Sequence, residues 1–549
     1  ELNISKSLAN MLVQRNITTF DEARDYFRPS LDKLHDPFLM KDMDVAIDRL
    51  DKAIDSKEKI LIYGDYDVDG TTSVALVYSF LRKIHQNIDY YIPDRYGEGY
   101  GISYKGVEYA AENEVSLVIA LDCGIKANDK IALANEKGID FIICDHHNPG
   151  EEIPKALAVL DPKRIDCHYP YKDLSGCGVG FKLLQALTIH RKLSFKDLYE
   201  YLDLVAVSIA SDIVSITGEN RILAFYGLKQ LNNSPRMGLK SIIQTSSLEV
   251  KEISISDVVF KIGPRINAAG RIESGKSAVK LLIEEDKDFA AELCEKINVH
   301  NETRQHLDRT ITEEALEMIN SDERLQQKSS TVLFNDNWHK GVIGIVASRI
   351  IENYYKPTVI LTQSNGLATG SARSVDGFDL YAAIDYCSDL LENFGGHKHA
   401  AGLTMKPENI KKFEEKFEEF VSQNITEQQL MPQINIDQKI SFSDITPKFY
   451  RIMKQFAPFG PGNMSPIYMT EQVQDGGYSR IVGKTAEHIK LDLVDMDNNR
   501  KEGIGFFMAD LFEIVSNSYM FNICYSIEEN EFNGNISLQL RIRDIQKCE

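Results

Sequence analysis

The 549-residue sequence has no apolar run near the roughly 18 residues of a membrane span and no signal-peptide pattern, so neither a membrane enzyme nor a secreted one is expected. It has no CxxC pair either. The eight cysteines are scattered, and Cys123 and Cys144 end apolar runs beside acidic residues, where disulfides fit poorly. A reduced, cytoplasmic protein is the economical reading. Cys167, His168 and Cys177 offer a zinc site as the alternative, but their spacing matches no common finger. Internal repeats and low-complexity segments are absent. An excess of positive charge is missing too: 62 Lys and Arg face 82 Asp and Glu, a net charge of −20, which argues against non-specific coating of duplex DNA. A groove needs only local positive charge and is not excluded. The sequence begins at Glu1 rather than Met, which reads as a cut or processed end.

What is present is ordinary globular composition, 43% hydrophobic and 26% charged, in a chain too long for one core. Three or four domains are expected. Residues 1–56 read as helical and charged. From about 57 to 275 strands and helices alternate in the βαβ manner, implying a mostly parallel sheet. Within that span YLDLVAVSIASDIV (201–214) is apolar around most of its circumference and reads as a buried helix. GPRINAAGR (263–271) is too glycine-rich and basic for ordinary core. Residues 277–325 are strongly helical, the pattern of a bridge between domains. A second α/β unit runs from TVLFND (331–336) through GVIGIVASRIIENYY (341–355), PTVILTQ (357–363) and LATGSARS (367–374) to two further helices, ending near 425. The remainder, 432–549, is strand-rich with turn signals at Asn498-Asn499 and Asn533-Gly534, which suggests a small β-barrel.

Four strand-like segments in the first third end in acids or histidines: KILIYGDYDVDG (59–70), SLVIALDCG (116–124), DFIICDHH (140–147) and ALAVLDP (156–162). In open α/β sheets the site lies at the carboxyl ends of the strands. Asp65, Asp67, Asp69, Asp122, Asp145, His146 and His147 are therefore delivered to one sheet edge. Carboxylates crowded in a low dielectric repel unless cations neutralise them, and divalent metal is the simplest neutralisation. Taken alone, DYDVDG also reads as an acidic turn capping a helix. That reading loses force once three other strand ends converge. Asp and His suit Mn²⁺ or Mg²⁺, and the imidazole favours Mn²⁺. Asp212 ends a nearly all-apolar helix, where a lone carboxylate costs several kcal/mol, so it pairs with a lysine or binds metal. Five or six such ligands suffice for two metals roughly 3.5–4 Å apart. A metal-dependent hydrolase follows from these residues alone.

GDYDVDG, LDCG, DHH and ASD, in that order, resemble the four motifs of the DHH phosphoesterase superfamily. GPRINAAGR, NWHKGVIGIVASR, GSARS and FGGHKHAAG extend the resemblance to its RecJ branch, and PFGPGN (458–463) carries it into the C-terminal part. The resemblance implies an α/β architecture. A parallel-sheet DHH domain (57–276) follows the N-terminal helical segment, a long helix (277–325) joins it to an α/β DHHA1 domain (326–428), and a β-barrel of the OB-fold type (429–549) completes the chain. It implies a monomeric, single-strand-specific 5′→3′ DNA exonuclease that releases 5′-mononucleotides in recombination and repair. Two Mn²⁺ per site, with Mg²⁺ as substitute, are the implied cofactors. Asp69, Asp122, His146 and Asp212 resemble the ligands of one metal, and Asp65, Asp67 and a shared Asp122 those of the other. His147 then contacts the scissile phosphate or orients a ligand, and Asp145 supports His146 or its neighbour. The implied chemistry is in-line attack on phosphorus, with the cations stabilising charge on the phosphoryl and leaving 3′ oxygens. Single-stranded DNA is the implied substrate, and a single-strand-binding protein and a RecQ-type helicase are candidate protein partners.

The substrate-holding side draws on other residues. Ser371 and Arg373 end a strand, while Gly395, Gly396, His397 and Gly402 are expected in a glycine loop. Glycines let backbone N–H groups approach an anion and Arg supplies a fork of donors to phosphate. A tight helix–strand turn is the plainer account of the loop. Arg265, Asn267 and Arg271 point toward a phosphodiester backbone, and Arg95 faces the same cleft or forms a surface salt bridge. Phe456, Phe459, Tyr468 and Tyr478 are candidates for stacking bases, although aromatics in a barrel are more often core. Two alternatives compete: a DHH phosphodiesterase acting on short oligonucleotides or cyclic dinucleotides, and an inactive replication scaffold. The first is generally smaller and lacks the barrel; the second loses metal ligands, and every motif here is complete.

Overall fold

The computed structural model describes residues 4–248, 252–517, 520–532 and 534–548. Its first sheet holds five parallel strands, β1 (Ile60–Gly64), β2 (Ile88–Tyr91), β3 (Leu117–Leu121), β4 (Asp140–Cys144) and β5 (Ala158–Leu160), in the order β2-β1-β3-β4-β5. β1, β3 and β5 are buried along their whole length, as unbroken apolar runs between helical layers should be. The register keeps their carboxyl ends flush, with Gly64 opposite Leu121, Leu121 opposite Cys144 and Cys144 opposite Leu160. The next residue of each strand is an aspartate: Asp65, Asp122, Asp145 and Asp161. Sequence and register together thus line up four acids at one edge.

The alternation of strands and helices expected up to residue 275 stops at β5. From there to Ile283 the described residues are helical or irregular, with no strand. The apolar segments Gly176–His190 and Leu202–Ser211 are too long for strands of this sheet and pack as helices against Val68–Arg82. The connecting helix itself is Lys287–Ser321, 35 residues capped by the Asp286 side chain. It belongs to two cores: Leu293, Cys294 and Ile297 pack into the first, Ile311, Ala315 and Ile319 into the second.

The second sheet has β6 (Thr331–Phe334), β7 (Thr358–Ser364), β8 (Leu367–Arg373), β9 (Leu391–His397) and β10 (Ala400–Met405) in the order β6-β7-β8-β10-β9. Here FGGHKHAAG departs from expectation. It is a β-hairpin with Lys398-His399 as its turn, and Gly395 lies opposite Gly402. The strand period was present in Ala401, Leu403 and Met405, which are buried in alternation, but the glycines obscured it.

The last unit is a closed β-barrel. In spatial order its strands are Gln438–Lys439, Tyr468–Asp475, Phe521–Phe532, Asn535–Lys547, Arg500–Gly505, His488–Val494 and Arg480–Val482, and Tyr468–Asp475 also pairs with His488–Val494. The turn at Asn498-Asn499 joins two of these strands, with Asn498 at φ 61°. At the other hairpin Gly534 has φ 76°, while Asn533 lies outside the described residues. Phe456 and Tyr468 are fully buried and Phe459 packs beside them, so these three are core; Tyr478 is 71% exposed.

The N-terminal segment is divided between neighbours. Leu8, Met11, Leu12 and Ala23 complete the barrel core, whereas Met43, Ala46, Ile47 and Leu50 pack into the core of the first sheet. PFGPGN and the two residues before it join the two at one buried arginine. Arg221 lies 3.8 Å over the Tyr26 ring and donates to the carbonyls of Phe456 (2.8 Å) and Ala457 (3.0 Å), while the Ile216 N–H donates to Pro461 O at 2.7 Å. No helix among the described residues is long and apolar enough to cross a membrane.

The first and second units meet at Gly341. The Tyr96 hydroxyl donates to the Arg271 carbonyl, and Arg271 Nη1 donates to Gly341 O at 2.7 Å. A Cβ at position 341 would lie 2.8 Å from both Arg271 O and Tyr96 Oη. Gly341→Ala should therefore destabilise this junction by about 1–3 kcal/mol. Equilibrium denaturation checks it, and an unchanged midpoint would show that the junction yields without cost.

Candidate active site

Each acidic side chain is held by the element that delivers it. Asp67 caps the helix Val68–Arg82, its carboxylate accepting from Gly70 N at 3.0 Å. Asp69, one turn in, accepts from Gly176 N (2.7 Å), Cys177 N (2.8 Å) and Ser208 Oγ (2.7 Å). Gly176 has to be glycine, because a Cβ there would sit 2.6 Å from Asp122 Cβ. Asp122 itself has φ 59°, a left-handed backbone that Asp tolerates better than most residues.

These groups converge on His146. Its Nε2 lies 3.2 Å from Asp122 Oδ1, 3.5 Å from Asp212 Oδ2 and 3.6 Å from Asp69 Oδ2. Burial pulls its pKa down to about 4, so the ring is neutral at pH 7 and offers a lone pair instead of a charge. Burial, then the repulsion of neighbouring acids, pushes Asp65, Asp122 and Asp212 well above the usual carboxylate range. Asp65 Oδ2, Asp122 Oδ2 and both ring nitrogens of His146 are buried without a hydrogen-bond partner among the described residues. Unpaired buried acceptors beside a neutral imidazole fit a divalent cation. The described residues that could hold metal fall into two groups sharing His146: Asp122, His146 and His147, and Asp69, His146 and Asp212. Cys167, His168 and Cys177 form no such group among the described residues, and all eight cysteines are free thiols.

His147 and Asp145 form a separate pair. Asp145 Oδ1 accepts from His147 Nδ1 at 2.7 Å and Oδ2 from Ile125 N at 2.9 Å. Burial opposes its charge, but the bond to His147 and that ring's charge hold it down at about 2. Against burial, the same bond raises His147 to about 9, a cation at neutral pH.

Facing these acids is a wall of cations. The Arg95 guanidinium sits 4.5 Å over the Tyr66 ring with Nη1 buried and unpaired, and its charge reaches Asp65 and Asp67. Among the described residues it makes no salt bridge. Arg373 Nη1 donates to Ser371 Oγ at 3.0 Å and to Ala372 O at 2.8 Å. Burial, then the charges of Arg95, Arg304 and Arg373, lowers Arg271 to about 9. His397, at the hairpin turn, is lowered by burial and then by the charges of His399, Arg373 and His147. Gly395 and Gly402 have open space where a Cβ would be, so this sheet face leaves its backbone accessible.

Family models match this sequence in three stretches: the DHH family, N-terminal domain, over residues 59–209; the DHHA1 domain over 327–423; and the RecJ OB domain over 436–544. The single-stranded-DNA-specific exonuclease RecJ of Bacillus subtilis is 36% identical over 553 residues, covering 100% of this chain and 69% of that protein. This chain belongs to the RecJ family. RecJ of Escherichia coli is 30% identical, covering 91% of this chain and 89% of its own length. The crystal structure of RecJ in complex with Mn²⁺ from Thermus thermophilus superposes with a TM-score of 0.86 at 26% identity, over 100% of this chain and 77% of that one.

Within this RecJ-family fold, Asp69, Asp122, His146 and Asp212 meet at one vertex, with Asp65 and Asp67 beside Asp122 and His147 at the rim. Arg265 Nη1 donates to Lys261 O at 2.8 Å, and Arg265 Nε and Asn267 Oδ1 are buried without a hydrogen-bond partner among the described residues. Two residues at the site were not anticipated. The Tyr100 hydroxyl donates to Asp122 O at 3.2 Å and lies 3.1 Å from His147 Nε2; nothing in its glycine-rich surroundings sets this tyrosine apart. Asp161 ends β5 and is pushed up to about 7 by burial. Its position as the fourth strand-end acid was the available signal.

Proposed function

We propose that this chain is a single-stranded-DNA-specific exonuclease that hydrolyses phosphodiesters from the 5′ end and releases 5′-mononucleotides. The observation that carries it is the apposition of a buried carboxylate–histidine cluster, with orphaned acceptors, to a wall of Arg95, Arg271 and Arg373. Asp69, Asp122, His146 and Asp212 would hold one divalent cation, and Asp65, Asp67 and Asp122 the second. Mn²⁺ or Mg²⁺ there would neutralise the acids and stabilise negative charge developing on the phosphoryl group. Asp145 fixes the His147 ring through Nδ1, so its Nε2 would be oriented to donate to a phosphoryl oxygen. Asp69, pinned by three donors, fixes the spacing between the cluster and the helix Gly176–His190. A cytoplasmic role in recombination and repair, a monomeric state, and partnership with a single-strand-binding protein and a RecQ-type helicase complete the proposal, on the strength of the family.

The test is digestion of end-labelled DNA. A 5′-labelled single strand should yield labelled mononucleotide from the first turnovers in Mn²⁺ and none in EDTA, and blunt duplex should resist. Early mononucleotide from a 3′ label, or equal rates on duplex, would remove the assignment. Mn²⁺ should support turnover at least as well as Mg²⁺, given a histidine ligand. Either ion should also raise the Tm of the metal-free protein, since cations binding only the folded cluster stabilise it.

A further inference from the structure

Ser208 places a fully buried hydroxyl within the nearly all-apolar helix Leu202–Ser211. A hydroxyl there must find a partner, and a serine inside a helix ordinarily turns back to its own carbonyls. Ser208 reaches across to two other helices instead. Its Oγ lies 2.7 Å from Asp69 Oδ1, on Val68–Arg82, and 2.6 Å from the Oγ of Ser175, which caps Gly176–His190. Ser175 is equally buried, and its Oγ accepts from Gly178 N at 3.1 Å.

The direction of these bonds follows from counting protons. A carboxylate only accepts, and each serine hydroxyl has one proton to give. Ser208 therefore donates to Asp69 and accepts from Ser175, whose own oxygen accepts from Gly178 N. All three bonds run one way, from the start of the helix Gly176–His190 to the carboxylate, and bonds in such a chain polarise one another. Asp69 Oδ1 takes two bonds, from Ser208 Oγ and Cys177 N, whereas Oδ2 accepts from Gly176 N and faces His146 Nε2 at 3.6 Å. The terminal torsion of Asp is soft, and two backbone donors from one helix start still let the carboxylate tilt. A third donor from a different helix stops the tilt. Ser208 also stands one turn before Asp212, whose N–H donates to the Ser208 carbonyl at 2.9 Å. One residue is thus bonded through its side chain to Asp69 and through its backbone to Asp212.

We propose that Ser208, with Ser175 behind it, is a positioning residue for the divalent cation held by Asp69, His146 and Asp212. The relay keeps Oδ2 as the Asp69 oxygen turned to the cluster and sets its distance from the Asp212 carboxylate. The proposal rests on the metal-dependent reading of the site and deepens it, since affinity for the ion is then governed by two hydroxyls that do not touch it. Groups that orient a ligand in this way change metal affinity by about 10–100-fold.

Mn²⁺ binding to the intact, metal-free chain tests this, read from the electron paramagnetic resonance signal of the free ion and without turnover. Ser208→Ala should weaken binding about tenfold, and the Mn²⁺ concentration for half-maximal cleavage of single strands should rise by the same factor. Ser175→Ala should weaken binding less, in the same direction. Because Ser175 acts through Ser208, the double variant should bind Mn²⁺ as Ser208→Ala does and no worse. Loss of the Ser175 cap lowers Tm in its own right, so the affinities decide the matter and the melting points do not. Unchanged affinity in Ser208→Ala would overturn the proposal. So would losses from the two serines that simply add, which would make them independent structural contacts. If the unaltered chain binds no Mn²⁺ at all, the metal-dependent reading itself falls, a result distinct from normal binding that Ser208→Ala leaves intact.

Discussion

Asp122→Asn will lose at least ~10²–10³-fold of the hydrolysis rate, as removal of one key electrostatic partner does, while the metal-free protein gains stability. The carboxylate is buried, its Oδ2 has no hydrogen-bond partner among the described residues, and Asp69, Asp67, Asp212 and Asp145 all repel it. Removing that charge relieves repulsion, and Asn keeps the left-handed backbone that Ala would strain. Asp69→Ala should lose as much activity, but its effect on stability has the opposite sign. It strips Gly176 N, Cys177 N and Ser208 Oγ of their acceptor, and buried donors left unpaired cost about 1–3 kcal/mol each. On the sequence alone, removal of Asp69, Asp122 or Asp212 reads as harmless to the fold, since each is one more negative charge; the hydrogen bonds to Asp69 reverse that for one of the three. Thermal melts in EDTA beside single-turnover assays check both statements. Retention of a tenth of the activity by either variant would remove it from the metal cluster.

The difference between these two aspartates marks what was legible beforehand. Strand ends were legible because buried parallel strands write themselves as unbroken apolar runs, and the acid after each run has only one sheet edge to occupy. His146 and Asp212 could be placed because a polar group closing an apolar element must have a partner. The backbone N–H groups that hold Asp69 could not, since they belong to a helix start 107 residues away in sequence and carry no side-chain signature. Tyr100 failed for a related reason: a tyrosine in a glycine-rich loop has no period to betray its direction. The β9–β10 hairpin was hidden by its own composition. Glycines read as a loop whenever strand propensity is judged residue by residue, yet here they leave an open sheet face that a backbone phosphate can approach. Composition also understated the cleft, because a net charge of −20 conceals Arg95, Arg271, Arg304 and Arg373, which come from four separate segments, with Arg271 feeling the charge of the other three.

Arg373→Ala should weaken cleavage of 5′-phosphorylated single strands by about ten- to a hundredfold and that of 5′-hydroxyl strands far less. Polarity requires the 5′ end to be held one nucleotide from the metals, and the metal domain offers mainly acids and histidines. The end-reading donors must then come from across the cleft, where Arg373 ends β8 with its guanidinium fixed by Ser371 Oγ and the Ala372 carbonyl. That fixation matters, because an arginine already ordered loses little rotamer entropy when it grips a phosphate. Burial holds the group below its usual pKa without neutralising it, so desolvation is already met in the free protein and a dianionic terminal phosphate gains nearly the whole charge-assisted bond. Such a bond is worth roughly 1.5–3 kcal/mol, which gives the stated range of rates. Ser371→Ala should produce a smaller loss in the same direction, by releasing the guanidinium instead of removing it. Side-by-side rates on the two kinds of end decide the matter. An equal loss on both would show that Arg373 grips the strand without reading its end, and the reading of the end would then have to rest with Arg95 and the His397 turn.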